Sequence, residues 1–212
     1  MSILVKICGL NSLDAVRAAA TADFAGFIFY PPSPRYIEPE TAAALAAKLP
    51  KPVKRVAVFV DPDDAALSRT LDLLRADLVQ LHGRETPERV AAIRRRFGRP
   101  VIKALPVSAA GDLKAASTYA DSADWLMFDA KPPKRKGALP GGNAESFDWR
   151  LLGGKSFARP WLLSGGLDAT NVAKAVRVAA ATAVDVSSGV EDRPGHKNVF
   201  KIREFIKAAR SL

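Results

Sequence analysis

The chain has 212 residues, 48% of them hydrophobic and 25% charged, with a formal net charge of +10, one cysteine and two histidines. One thiol excludes an internal disulfide framework, and two histidines beside it give no zinc-type spacing, so no structural metal is expected. No apolar run approaches the ~20 residues that cross a bilayer. The opening MSILVKICGL also lacks a long apolar stretch followed by a cleavage site, and the expectation is a cytoplasmic protein without membrane contact.

Eight apolar runs of strand length follow one another, each with a helical pattern behind it. ILVKIC (3–8) precedes SLDAVRAAATA, FAGFIFY (24–30) precedes PETAAALAAKL, KRVAVFV (54–60) precedes PDDAALSRTLDLLRA, and DLVQLH (77–82) precedes TPERVAAIRRRF. PVIKAL (100–105) then leads to AAGDLKAASTYA, DWLMFDA (124–130) to a short FDWRLL, PWLLSG (160–165) to ATNVAKAVRVAA, and AVDVSS (183–188) to NVFKIREFIKAARSL. The strand runs are short, rich in Val, Ile, Leu or Phe, and bounded by turn residues. Several helical patterns open on Ser, Thr, Asp or Pro, with Thr86 in a capping position and Pro87 just inside. Eight strand–helix pairs with near-continuous apolar strands predict a parallel sheet covered by helices. The count fits a closed eight-stranded (β/α)8 barrel, an α/β fold in which residues 1–212 form one catalytic domain.

Such barrels carry their chemistry at the C-terminal ends of the strands. Alternation along a strand puts Lys6 and Cys8 on one face, Trp125, Met127 and Asp129 on another, and pairs Asp185 with Ser187 and Gln80 with His82. Lys103 shares its face with Val101 and Leu105. If the more apolar faces meet the helices, polar groups collect inside, and burying several ionisable groups there is costly without a use. LLSGGLDATNV brings Gly165 and Gly166 after the seventh strand, and DVSSGVE brings Ser187, Ser188 and Gly189 after the eighth. Glycines permit close backbone approach and free N–H groups at a helix start bind anions, so the two loops together suit a phosphate. The positive charge would steer a small anion. A nucleic-acid partner is disfavoured, because the densest basic pieces, IRRRFGR and KPPKRK, are short and not built on stacking residues.

These residues resemble the phosphoribosylanthranilate isomerase family of tryptophan biosynthesis. KICGL, GFIFYPPSPRYI, VAVFV, VQLHG, VIKAL, FDA, GGN followed by FDW, LSGGL and VDVSSGVE keep the family's order between residues 6 and 191. The resemblance implies an Amadori rearrangement of a small phosphorylated substrate without metal or organic cofactor, by a monomer or homodimer. By match to the family's motifs, Cys8 would be the general base and Asp129 the general acid. Arg35 would meet the anthranilate carboxylate, and Gly166, Ser187 and Ser188 would lie in the phosphate loops. Thiolate and protonated carboxyl are the states those roles need. Lys6 is expected to favour the first, and burial with the charge of Asp185 to favour the second. One departure stands out: a GGTGKTFDW-like stretch is frequent in the family where this chain has GGNAESFDW. The loop from Lys131 to Ser146 is long and charged, either a surface segment or a lid. Competing readings are a histidine-pathway isomerase, indole-3-glycerol-phosphate synthase and a basic nucleic-acid-binding protein. The first resembles two half-barrel repeats with paired aspartates, where this chain has Cys8 and no visible repeat. The second would not explain KICG.

Overall fold

Eight parallel strands pair in chain order: β1 (Leu4–Cys8), β2 (Phe24–Ile28), β3 (Lys54–Phe59), β4 (Leu78–Leu81), β5 (Val101–Val107), β6 (Trp125–Ala130), β7 (Trp161–Leu163) and β8 (Ala183–Val186). β8 returns to β1, with Leu4 beside Ala183 and Lys6 beside Asp185, so the sheet closes and no edge is left unpaired. The structure is a computed structural model that describes residues 2–134 and 139–212. All eight strands coincide with the apolar runs of the sequence. The polar residues that end several runs, Ser164 and Gly165 or Ser187 and Ser188, fall just beyond the pairing, in the loops.

Helices cover the outside: α1 (Leu13–Ala18), α2 (Pro39–Ala46), α3 (Asp64–Leu74), α4 (Pro87–Phe97), α5 (Ala115–Thr118), α6 (Val172–Ala179) and α7 (Val199–Arg210). Thr86 caps α4 through the N–H of Arg89, Asp63 caps α3 through Ala66, and Asn198 caps α7 through Lys201. The fifth pattern yields a 3₁₀ turn over Ala110–Lys114 and only one α turn. There Ser117 and Thr118 donate their hydroxyls to the carbonyls three residues back, both at 2.8 Å, which competes with continued helix. Trp149–Leu151 forms a single 3₁₀ turn. An antiparallel ribbon, β9 (Glu191–Arg193) with β10 (His196–Lys197), follows β8 and was not expected from the sequence. Among the described residues no helix is long and apolar enough to cross a membrane.

The core has two layers, split by strand alternation. Cys8, Phe24, Val56, Val58, Ile102, Ala104 and Met127 fill the barrel, whereas Val5, Ile7, Phe27, Phe59, Val101 and Leu105 pack outward against helices. Lys103 belongs with the outward set, which corrects the expectation that it joins the interior. PVIKAL is apolar on both faces, so its composition does not select a side, and the closed sheet turns Ile102 and Ala104 inward.

At the N-terminal end of the barrel one device recurs. Asp23, Asp77 and Asp124, each just before an even-numbered strand, accept the N–H of Val5, Arg55 and Val101 at 2.7, 2.8 and 2.9 Å. Each also takes an arginine, Arg210, Arg55 and Arg94 respectively. Part of the basic excess is therefore spent on fastening the bottom of the barrel, the face on which stability rather than chemistry depends.

Candidate active site

At the opposite end, the strand termini surround a cavity lined by Cys8, Arg35, Gln80, His82, Asp129 and Asp185, with Gly165, Gly166, Ser187 and Ser188 on its rim. Cys8 ends β1 and is 4% exposed. Behind it, the fully buried Lys6 donates to Asp185 Oδ1 at 2.6 Å, and Asp185 Oδ2 accepts from the Ser164 hydroxyl at 3.0 Å. Asp129 comes from β6. Its Oδ1 accepts the N–H of Ala130 at 2.9 Å, and its Oδ2 stands 3.1 Å from His82 Nε2. Gln80 Nε2 lies 2.9 Å from His82 Nδ1, and an amide donor at Nδ1 leaves Nε2 as the protonated nitrogen, aimed at Asp129.

Arg35 sits in the loop after β2, which a bridge between Ile28 and Tyr36 ties back to the sheet. Its guanidinium is buried and forked on Glu191, Nε to Oε1 at 2.7 Å and Nη2 to Oε2 at 2.9 Å, while Nη2 also donates to the Gly142 carbonyl at 3.1 Å. Lys197 Nζ meets the same Glu191 Oε1 at 2.7 Å and the Ser187 carbonyl at 2.9 Å. The described end of the sixth loop lies across all of this. A Cβ at Gly141 would stand 2.6 Å from His82 Nε2 and 2.8 Å from Asp129 Oδ2, and one at Gly142 (φ +72°) would stand 2.6 Å from Arg35 Nη1. Only glycines let the backbone pass this close to both groups. Residues 135–138 of this loop, read from the sequence as either a surface segment or a lid, lie outside the described residues. Among those described, no three His, Cys, Asp or Glu side chains gather as a metal site.

Comparison with known proteins settles the family. The family described as PRAI, N-(5'phosphoribosyl)anthranilate (PRA) isomerase, matches residues 5–208. An N-(5'-phosphoribosyl)anthranilate isomerase of Rhodospirillum centenum is 54% identical over 214 residues, covering 100% of both chains. The chain belongs to the phosphoribosylanthranilate isomerase family. The isomerase of Paramagnetospirillum magneticum is 56% identical over 212 residues, covering 99% of this chain and 98% of its own. The crystal structure of the Thermotoga maritima phosphoribosylanthranilate isomerase superposes with a TM-score of 0.88 at 38% identity, covering 99% and 100% of the two chains. A phosphoribosylanthranilate isomerase solved in complex with reduced 1-(o-carboxyphenylamino)-1-deoxyribulose 5-phosphate superposes at 0.83 with 36% identity, again covering 99% and 100%.

Within this phosphoribosylanthranilate isomerase fold, the electrostatics depart from the sequence-based expectation at Cys8. Burial pushes the Cys8 thiol above its usual range; Lys6 pulls it down, Asp185 pushes it up again, and Lys197 pulls it down. The site therefore holds Cys8 as a thiol more firmly than expected, because burial outweighs the pull of Lys6, which Asp185 partly offsets. Burial opposes the charge on Lys6 itself, yet Asp185 and Cys8 outweigh it and raise its pKa. Asp185 is engaged by Lys6 and Ser164, and the side chain that meets Asp129 is His82.

Of the residues read from the sequence, Cys8, Asp129, Arg35, Asp185, Gly165, Gly166, Ser187 and Ser188 all line the one cavity. Gly189 does not; it stands behind the rim, where a Cβ would meet the Leu167 carbonyl at 1.9 Å, so its lack of a side chain lets the two rim loops touch. Sequence reasoning passed over Glu191 and Lys197. They lie in EDRPGHKN, which has no periodicity to direct them, and the only local signal was the acidic residue closing VDVSSGVE.

Proposed function

We propose that this chain isomerises N-(5-phosphoribosyl)anthranilate to 1-(2-carboxyphenylamino)-1-deoxyribulose 5-phosphate with Asp129 as general acid and Cys8 as general base. Asp129 gives its proton to the furanose ring oxygen, and the ring opens to a protonated imine. Cys8, as thiolate, takes the proton from the adjacent carbon to leave an enamine, which tautomerises to the ketone. One proton has then left a carboxyl and one has reached a sulfur, so returning a proton from thiol to carboxylate through solvent resets the pair. Each transfer contributes roughly 10² to 10⁴ in rate.

The observation that carries this reading is that Cys8, from β1, and Asp129, from β6, face one cavity from separate strands of a closed ring. Supporting it, a guanidinium suited to a planar carboxylate stands at one part of the rim and a glycine–serine pair of loops suited to a phosphate at another. His82 holds Asp129 in place, and the Gly141 backbone passes close over both of them. No cofactor, nucleic acid or membrane enters the scheme, which runs in the cytoplasm within one chain, as a monomer or in a homodimer.

The test is complementation of a tryptophan auxotroph lacking this isomerase, with purified variants assayed beside it. The unaltered chain restores growth. Asp129→Asn and Cys8→Ala lower kcat by at least ~10² with KM little changed. Full turnover in Cys8→Ala would remove the base from the scheme.

A further inference from the structure

Lys197 lies on the ribbon that follows the last barrel strand, and the proton transfers above make no use of it. Its side chain is fully buried. Its ammonium donates to Glu191 Oε1 at 2.7 Å, to the Ser187 carbonyl at 2.9 Å and to the Ser187 hydroxyl at 3.3 Å. Glu191 in turn grips Arg35 through both carboxylate oxygens, and burial raises its pKa less than Arg35 and Lys197 lower it, so it stays ionised. Gly9 fills the wedge between the two ends: a Cβ there would stand 3.0 Å from Arg35 Cδ and 3.3 Å from Ser187 Oγ. Ser187, Lys197, Glu191 and Arg35 thus form an unbroken hydrogen-bonded chain from the turn after β8 to the guanidinium. Two cations face one carboxylate within it. A buried surplus charge is expensive unless an anion arrives to meet it.

We infer that Lys197 is a positioning residue for the isomerase site: its ammonium fixes the Ser187 turn that meets the phosphate and, across Glu191, sets the orientation of the Arg35 guanidinium that meets the ring carboxylate. The inference rests on the proposed roles of Ser187 and Arg35 as the two anion contacts. Because a single carboxylate is shared, the two ends of the substrate are held at one separation, and the surplus positive charge is matched when the ligand's anions bind. The charged groups acting on Cys8 come from three elements, Lys6 on β1, Asp185 on β8 and Lys197 on β10. Lys6 is paired with Asp185, so Lys197 supplies positive charge to the sulfur from a separate direction.

The test uses Lys197→Met and Glu191→Gln, with anthranilate and ribose 5-phosphate as separate calorimetric probes and circular dichroism to establish folding. Cys8 is the only cysteine, so the pH dependence of its alkylation by iodoacetamide reports the thiol alone. Lys197→Met should weaken both probes by about tenfold or more and move the alkylation midpoint to higher pH. Glu191→Gln should weaken anthranilate by a similar factor and leave ribose 5-phosphate within about threefold, since Lys197 keeps its hold on Ser187. Wild-type affinity for both probes, loss of ribose 5-phosphate binding alone, or an unmoved alkylation midpoint in Lys197→Met would overturn the inference. If that variant does not fold, unchanged anthranilate binding in Glu191→Gln overturns it instead. Arg35→Met separates the two levels. If it retains anthranilate binding, the carboxylate assignment itself fails; if it loses that binding while Lys197→Met does not, only the positioning role falls.

Discussion

Lys6 and Lys103 are both strand residues, both almost wholly buried, and both paired with a carboxylate, at 2.6 Å to Asp185 and 2.7 Å to Glu85. They face opposite sides of the barrel wall. Lys6 points inward, beneath Cys8 and beside the cavity. Lys103 points outward and acts as a fastener: it also donates to the Gly83 carbonyl at 2.8 Å and lies 5.7 Å from the Tyr119 ring, while Glu85 accepts the N–H groups of Asp61 and Gly83. One pair acts on the electrostatics of the Cys8 sulfur, and the other ties together the loops after β3 and β4. Residue type, burial and pairing distance do not tell them apart; direction does.

The largest expected effect is common to both pairs. Removing either ammonium leaves a carboxylate buried without its cation, so Lys6→Met and Lys103→Met should each lower the unfolding free energy by about 3–5 kcal/mol in denaturant titrations. Kinetics on the folded protein then divide them. Lys6→Met should lower kcat/KM at neutral pH by about tenfold or more, because the lost cation and the unpaired Asp185 both push the thiol up, whereas Lys103→Met should stay within about threefold. Equal kinetic losses in the two variants would erase the distinction between the faces. A sharper view of the inward side comes from pH. Since burial raises the Cys8 pKa, the thiolate fraction at neutral pH is small and grows about tenfold per unit, so kcat/KM should still be rising past pH ~8.5, in step with Cys8 alkylation. A plateau below pH 7 would contradict the burial that the inward position imposes. The smallest effect belongs to neither side: Arg69 and Glu40 form an exposed pair across α2 and α3, and Arg69→Ala should leave the denaturation midpoint and the kinetics unmoved.

Much of this was legible before the fold. The strands announced themselves because each must be apolar on the helix side and mostly apolar within the barrel, which leaves runs such as KRVAVF and WLMF in plain view. Cys8 and Asp129 were legible because each polar residue closes such a run at the chemically active end. The phase of Lys103 was not, because VIKAL is apolar at every neighbouring position and alternation offers no preferred side. The partner of Asp129 was not either: His82 was visible as a polar strand terminus, but β4 and β6 meet only through the curvature of the barrel. The thiol's preference for its proton depends on how completely Cys8 is enclosed and on how far Asp185 neutralises Lys6, and both are distances rather than letters.

The amino-acid order alone determined how many barrel strands form, where they lie, which of the long helices are capped and which residues end up at the strand tips. Those features follow from local periodicity and from backbone hydrogen bonds satisfied within a few residues. Closure of the barrel decided the rest: which lysine faces the Cys8 sulfur, which carboxylate holds Arg35, and which glycines the sixth loop needs to pass over His82 and Arg35. The physical reason is that electrostatic and steric effects act over a few ångströms of space, and residues 35, 191 and 197 share that space only after the eighth strand has paired with the first.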